Sequence, residues 1–142
     1  INEDDIEKHI GISKEYNNFE LRNAIETRNI EKAFKIIKYF EKNPKDNPMV
    51  VTMTVIFSLF TNIINYHILT DKSKQNVAKE IGINPFFVQS LAVAANNYPL
   101  KKATRIISTI REYDMKSKGV NSTGNVTSSQ LMVELIYKII NF

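Results

Sequence analysis

The feature that most constrains the fold of this chain is a run of 24 consecutive residues without a formal charge, from Asn47 to Thr70. The run contains one proline, Pro48, and no glycine, so nothing beyond its start interrupts a helix. Proline suits the first turn of a helix, and a helix from there to Leu69 would be about 33 Å long at 1.5 Å per residue. Its apolar side chains cover most of its circumference, which is typical of a helix that is buried or that spans a membrane.

The polar side chains of this helix decide between those two environments. Thr, Ser, Asn and His are distributed along it, and these groups would be costly in lipid. The run therefore predicts the central helix of a protein core, with no membrane as its partner. Because its apolar surface is wider than one stripe, we expect its second side to be covered by another protein.

The rest of the chain also has the spacing of helices, and no stretch shows sustained strand alternation. Asn29 is placed to cap a helix whose apolar residues recur every three or four positions and which ends at Asn43-Pro44. Gly82 and Pro99 mark further ends and starts. Thr127 with Gln130 forms the pattern of a capping box at the start of the last helix. The sequence predicts an all-α bundle of about seven or eight helices.

Composition gives little support to catalysis or to a bound cofactor. The chain has no cysteine, and its only histidines, His9 and His67, lie far apart in sequence. Neither a metal site nor a nucleophile paired with a base is indicated. We therefore expect no metal, no cofactor and no intrinsic enzymatic activity, and we interpret His67 as a partly buried, hydrogen-bonded side chain.

The basic residues are unevenly distributed. Residues 1–46 carry nine Lys/Arg and ten Asp/Glu, whereas residues 47–142 carry ten and five. Lys101, Lys102 and Arg105 give one long predicted helix a basic aspect. A solvated surface is the ordinary interpretation of such residues, and contact with DNA phosphates is the sharper hypothesis.

The segment from Ala78 to Val88 has the spacing of a helix-turn-helix, with Gly82 at the turn. Reading DNA bases requires polar side chains on the exposed side of the second helix. Phe86 and Phe87 stand near its start, and we expect them to be buried in a helical corner. A helix-turn-helix DNA-binding regulator is the alternative hypothesis.

Four segments, spread over most of the chain, each show a packing or capping pattern. They are Asn17 to Leu21 with Ala24-Ile25; Ala33 to Phe40; Ala78 to Val88 with Gly82 and Pro85-Phe86; and Asp114, Lys116 and Lys118-Gly119. As a set, these segments resemble the C-terminal part of the delta subunit of bacterial DNA polymerase III, a clamp-loader family.

The resemblance implies a layout and a set of partners. Residues 1–16 would be the tail of the helical lid of an AAA+ module, and residues 17–142 a helical collar domain through which subunits assemble. Partners would be other clamp-loader subunits of the gamma/tau and delta-prime type, in the bacterial cytoplasm. The sliding clamp would be bound only through an N-terminal module that these residues do not include, and DNA only indirectly.

Under this resemblance, the expected contact surfaces are the outer sides of the helices near residues 48–69 and 131–141, which show apolar width beyond one stripe. The expected partner-contacting residues are Phe57, Phe60, Ile64, Met132, Ile136 and Tyr137.

Overall fold

The fold was analysed in a computed structural model, which describes residues 15–119 and 127–142. In those ranges the chain forms seven α-helices and no strand, which confirms the all-α prediction. The sequence also predicts a short helix that Asn2 caps and that ends near Gly11, and a loop from Gly119 to Asn125. That helix and most of that loop lie outside the described residues. The helices are α1 (Asn18–Glu26), α2 (Ile30–Lys42), α3 (Met49–Ile68), α4 (Lys74–Ile81), α5 (Val88–Asn97), α6 (Leu100–Ser117) and α7 (Ser128–Ile140), with a short 3₁₀ helix at Pro85–Phe87 before α5.

Side-chain caps fix several helix starts where the sequence places them. The side chain of Asn29 accepts a hydrogen bond from the backbone N–H of Lys32 at 3.1 Å. Thr127 and Gln130 exchange the two bonds of a capping box, at 3.0 and 3.2 Å. Asn17 caps α1 and Asn18 begins it, whereas the sequence predicts a linker over residues 12–18. Each cap satisfies a backbone N–H that has no partner within its own helix.

Helix α3 lies at the centre of the bundle. It packs most extensively against α6, then α5, and it also contacts α1, α4 and α7. The predicted central helix is therefore confirmed, but only one of its sides is enclosed. The side chains on the enclosed side are Thr52, Met53, Ile56, Leu59, Phe60 and Ile63. By length and composition alone α3 could cross a membrane, and the core helix of a soluble protein meets the same criterion.

Helices α2 and α7 pack against each other, and α7 also contacts α6. The apolar stripe of α2 supplies Ala33, Ile36, Ile37 and Phe40 to the core. Arg28, which follows α1 with a left-handed φ of 58°, donates a hydrogen bond to the carbonyl of Ile140 at 2.5 Å. This bond fastens the end of α1 to the end of α7.

Tyr98 joins α1, α3 and α5 in the interior. Its ring meets that of Phe60 edge to face at 5.0 Å, and its hydroxyl donates to the carbonyl of Ile25 at 2.7 Å. The ring nitrogen Nε2 of His67 lies 2.9 Å from the carbonyl oxygen of Tyr98, which confirms the interpretation of His67 as a hydrogen-bonded structural residue. Because burial strongly disfavours the charged phenolate, the pKa of Tyr98 is raised well above its ordinary value.

Candidate partner interface

The outer side of α3 borders a groove against α6. Val50 is 66% exposed and Phe57 is 38% exposed, although both are large and apolar. We call this the α3–α6 groove, a depression of about 390 Å³. It is lined by Val50, Met53, Thr54 and Phe57 from α3, by Ile110, Arg111 and Asp114 from α6, and by Lys118 directly after α6.

The charges along the α6 side of this groove are not equally compensated. Asp114 is paired with Lys118, with Oδ2 and Nζ 2.9 Å apart. The guanidinium of Arg111 lies over the ring of Phe57, with its carbon 6.0 Å from the ring centre. Among the described residues, Arg111 forms no ion pair. The groove therefore combines an apolar floor with one cation that is available to a partner.

The outer side of α7 presents a smaller apolar feature. Tyr137 is 56% exposed. Beside it, the ammonium of Lys138 lies 5.0 Å from the ring centre of the buried Tyr113, whose hydroxyl donates to Glu134 at 3.1 Å. The hydrogen bond with Tyr113 raises the pKa of Lys138.

The structure divides the six expected partner-contacting residues into two groups. Phe57 and Tyr137 are exposed, and Ile64 is partly buried. Phe60, Met132 and Ile136 are enclosed in the core of this chain, so placing them on a partner surface was wrong. They belong to the inward-facing sides of α3 and α7, which hydrophobicity alone does not distinguish from the outer sides.

A second exposed apolar surface was not expected. Phe86 is 77% exposed and Phe87 is also exposed, so the prediction that both lie in a buried corner was wrong. Phe87 contacts Phe86 at 5.3 Å and Phe19 of α1 at 5.9 Å between ring centres, both edge to face. The reason is the 3₁₀ helix between α4 and α5, which directs these rings outward and leaves Val77 and Val88 to fill the corner.

Helices α4 and α5 have the turn that the helix-turn-helix spacing predicts, but α5 lacks the basic side chains that a DNA-reading helix uses. Gly82 ends α4 with a left-handed φ of 79°, as the pattern predicted. Helix α5 buries Val88, Leu91, Ala94 and Ala95, and it contains no lysine or arginine. The helix that would enter the major groove therefore carries no cation of its own, and the nearby lysines belong to α4 and to the segment before it.

The three residues expected to face DNA lie in the first two turns of α6. Lys101 and Arg105 are exposed, and Lys102 is partly buried. The guanidinium carbon of Arg105 lies 5.7 Å from the ring centre of Phe142. This arrangement leaves DNA contact as a prediction, since ordinary solvated cations have the same exposure.

The described residues contain no group of three His, Cys, Asp or Glu side chains that could hold a metal. Glu26 is a buried carboxylate, and burial raises its pKa while the nearby Arg22 lowers it to a smaller degree. Arg22 Nε and Glu26 Oε2 are 3.9 Å apart and one turn apart on α1.

Comparison with known proteins gives one family. No match to this chain was found among curated proteins or among solved structures. A family model described as DNA polymerase III delta subunit, C-terminal domain, matches residues 15–139, which include α1 to α6 and nearly all of α7. The match extends over far more than half of the sequence. The chain therefore belongs to the family formed by the C-terminal domains of DNA polymerase III delta subunits, which are components of the clamp loader in DNA replication.

Proposed function

We propose that residues 17–142 are the collar through which a delta subunit assembles with the other clamp-loader subunits, and that residues 1–16 end the preceding AAA+ lid. The observation that carries this proposal is the family match over residues 15–139. The described residues within that range form a helical body that offers exposed apolar surface. The partners are subunits of the gamma/tau and delta-prime type in the bacterial cytoplasm. The domain supports sliding-clamp loading without catalysis of its own, and the clamp is bound by an N-terminal module outside these residues.

The surface of the domain suits assembly in physical terms. A stable protein interface removes about 800 Å² per partner from water, and apolar area contributes about 25 cal/mol per Å² before ordering costs are subtracted. Exposed apolar side chains occur on α1, α3, the 3₁₀ helix, α5, α6 and α7. Aromatic residues are typical of interface centres, and the exposed rings of Phe57 and Tyr137 fit that description.

Size-exclusion chromatography of the 142-residue chain with its cognate clamp-loader subunits tests this proposal. We expect the chain to elute with those subunits at micromolar concentration. Separate elution of the chain at that concentration would contradict an assembly role. A folded, unrelated helical domain of similar size serves as the control for non-specific association.

The alternative of a helix-turn-helix regulator is supported by the spacing and the turn at Gly82, but α5 itself contains no lysine or arginine. Its test is a gel shift of the chain on duplex DNA at increasing salt. We expect no salt-dependent shift, and a shift lost progressively with salt would revive that hypothesis.

DNA contact by α6 is a separate question. Replacement of Lys101, Lys102 and Arg105 by glutamine would remove three exposed or partly exposed positive charges. If these residues contact phosphates within the loader, the salt dependence of loader binding to primed DNA should fall by about one unit of slope per contact. An unchanged slope would assign them to the solvated surface.

A further inference from the structure

We infer that the α3–α6 groove receives an amphipathic helical segment of a neighbouring clamp-loader subunit, with a carboxylate of that segment facing Arg111. This inference rests on the proposed function and specifies which surface the assembly uses and the chemistry of its partner. The three properties that carry it are the spacing of the groove residues, their exposure and their charge.

The first property is spacing. Val50, Thr54 and Phe57 follow one another at four and three residues on α3. Arg111, Asp114 and Lys118 follow one another at three and four residues, with Lys118 directly after the end of α6. Residues separated in this way form a ridge along one side of a helix, and two neighbouring ridges leave a furrow that suits the ridge of a third helix. The stretch from Val50 to Phe57 is about 10 Å long, which matches about two turns of such a helix.

The second property is that the groove has exposed apolar side chains at its edge and buried apolar side chains at its floor. Val50 is exposed at the edge of the groove, while Met53 and Ile110, which also line it, are buried. An apolar side chain entering between Val50 and Phe57 would therefore rest on a packed floor. This is the arrangement found at interface hot spots, where a few apolar anchors enter a preformed depression.

The third property is charge, which indicates the nature of the partner. The two carboxylates of the last turns of α6, Glu112 and Asp114, are each paired with a lysine four residues later, at 3.3 and 2.9 Å. Arg111 has no such pair among the described residues. Its guanidinium is instead held over Phe57, and an arginine in that position can donate two parallel hydrogen bonds to a carboxylate. We therefore expect Asp or Glu on the partner helix.

Two substitutions test the groove without disturbing the core. Val50→Asp places a negative charge at the exposed edge, in the first turn of α3, where the helix dipole favours it. Arg111→Glu reverses the charge that would attract the partner. Lys38→Glu is the matched control, since it makes the same charge change at an exposed position on α2, away from the groove.

The measurement is the affinity of each variant of the full 142-residue chain for the cognate clamp-loader subunits, by titration calorimetry. We expect Val50→Asp and Arg111→Glu each to weaken binding by at least about tenfold, with Lys38→Glu within about twofold of the wild type. The melting temperature of Val50→Asp should equal that of the wild type or lie slightly above it.

The contrary outcomes separate the two claims. If the wild-type chain binds and both groove variants bind equally well, the groove is not the contact surface, and the assembly role stands. If the wild-type chain does not bind at all, the proposed function itself fails. A marked fall in the melting temperature of Val50→Asp would show that residues of this chain already cover the groove, which also overturns the inference.

Discussion

Replacement of Tyr98 by phenylalanine removes one buried hydrogen bond and leaves the ring in place. The hydroxyl donates to the Ile25 carbonyl at 2.7 Å, and that carbonyl also accepts a bond from the backbone N–H of Arg28 at 3.1 Å. An unsatisfied buried polar group costs about 1–3 kcal/mol, and the remaining bond from Arg28 places the expected loss toward the lower end. We expect the free energy of unfolding to fall by about 1–2 kcal/mol, with a decrease in melting temperature of about 5 °C.

The assay is urea unfolding followed by circular dichroism. We expect the free energy of unfolding to fall with urea concentration at the same slope in both proteins, so that the difference between their midpoints reports the difference in stability. Tyr137→Phe is the matched control, because it makes the same chemical change at an exposed tyrosine and should leave the midpoint unchanged. A Tyr98→Phe protein as stable as the wild type would refute the claim that this bond fastens α5 to α1.

The same tyrosine predicts a dependence on alkaline pH. Burial raises the pKa of Tyr98, so the folded protein keeps the phenolic proton at pH values where the unfolded chain releases it. The unfolded state then binds fewer protons, and the free energy of unfolding falls as pH rises above about 10, the ordinary tyrosine pKa. Phenylalanine has no such proton. The difference in free energy of unfolding between the wild type and Tyr98→Phe should therefore decrease between about pH 9 and pH 11.

Three further substitutions test local features, each by thermal or urea unfolding. Gly82→Ala should destabilise the chain by about 1 kcal/mol, because an L residue is strained at the φ of +79° found there. A Cβ at this position would meet open space, so a steric clash adds nothing to this cost. No change in stability would contradict a left-handed C-cap. Thr127→Ala should cost about 1 kcal/mol by removing the capping box with Gln130, and equal stability would argue against that cap. Glu26→Gln should stabilise the chain at pH 7, because burial raises the pKa of Glu26 and the folded state therefore holds its proton more tightly than the unfolded one. The stability that this raised pKa provides is present below about pH 4 and is lost as pH rises, so the benefit of Gln should disappear in acid; a loss of stability at pH 7 would show that the attraction of Arg22 outweighs desolvation.

Much of the secondary structure was predictable because its signals are local. The Asn29 cap and the stripe that follows it indicated α2, and Gly82 indicated the end of α4. A capping residue or a glycine acts through its own turn, so its effect does not depend on the rest of the fold. The family resemblance rested on the same local patterns, and the match to residues 15–139 confirms it.

The functional surfaces were less predictable, since they depend on which sides of each helix are covered. Helix α3 is apolar on most of its circumference, so hydrophobicity could not separate the buried Phe60 from the exposed Phe57. In the same way, the pattern around Phe86 and Phe87 predicted core residues, whereas the 3₁₀ helix directs them outward. Arg111 carried no sequence signal, because its importance comes from lying over Phe57 across two helices.

Sedimentation velocity of the chain mixed with the remaining cognate clamp-loader subunits tests the assembly role most directly. At micromolar concentrations we expect one boundary that sediments faster than the subunits alone and contains the chain in a fixed ratio to them. If the chain instead sediments at its own rate beside an unchanged loader peak, it is not the assembly module of that loader.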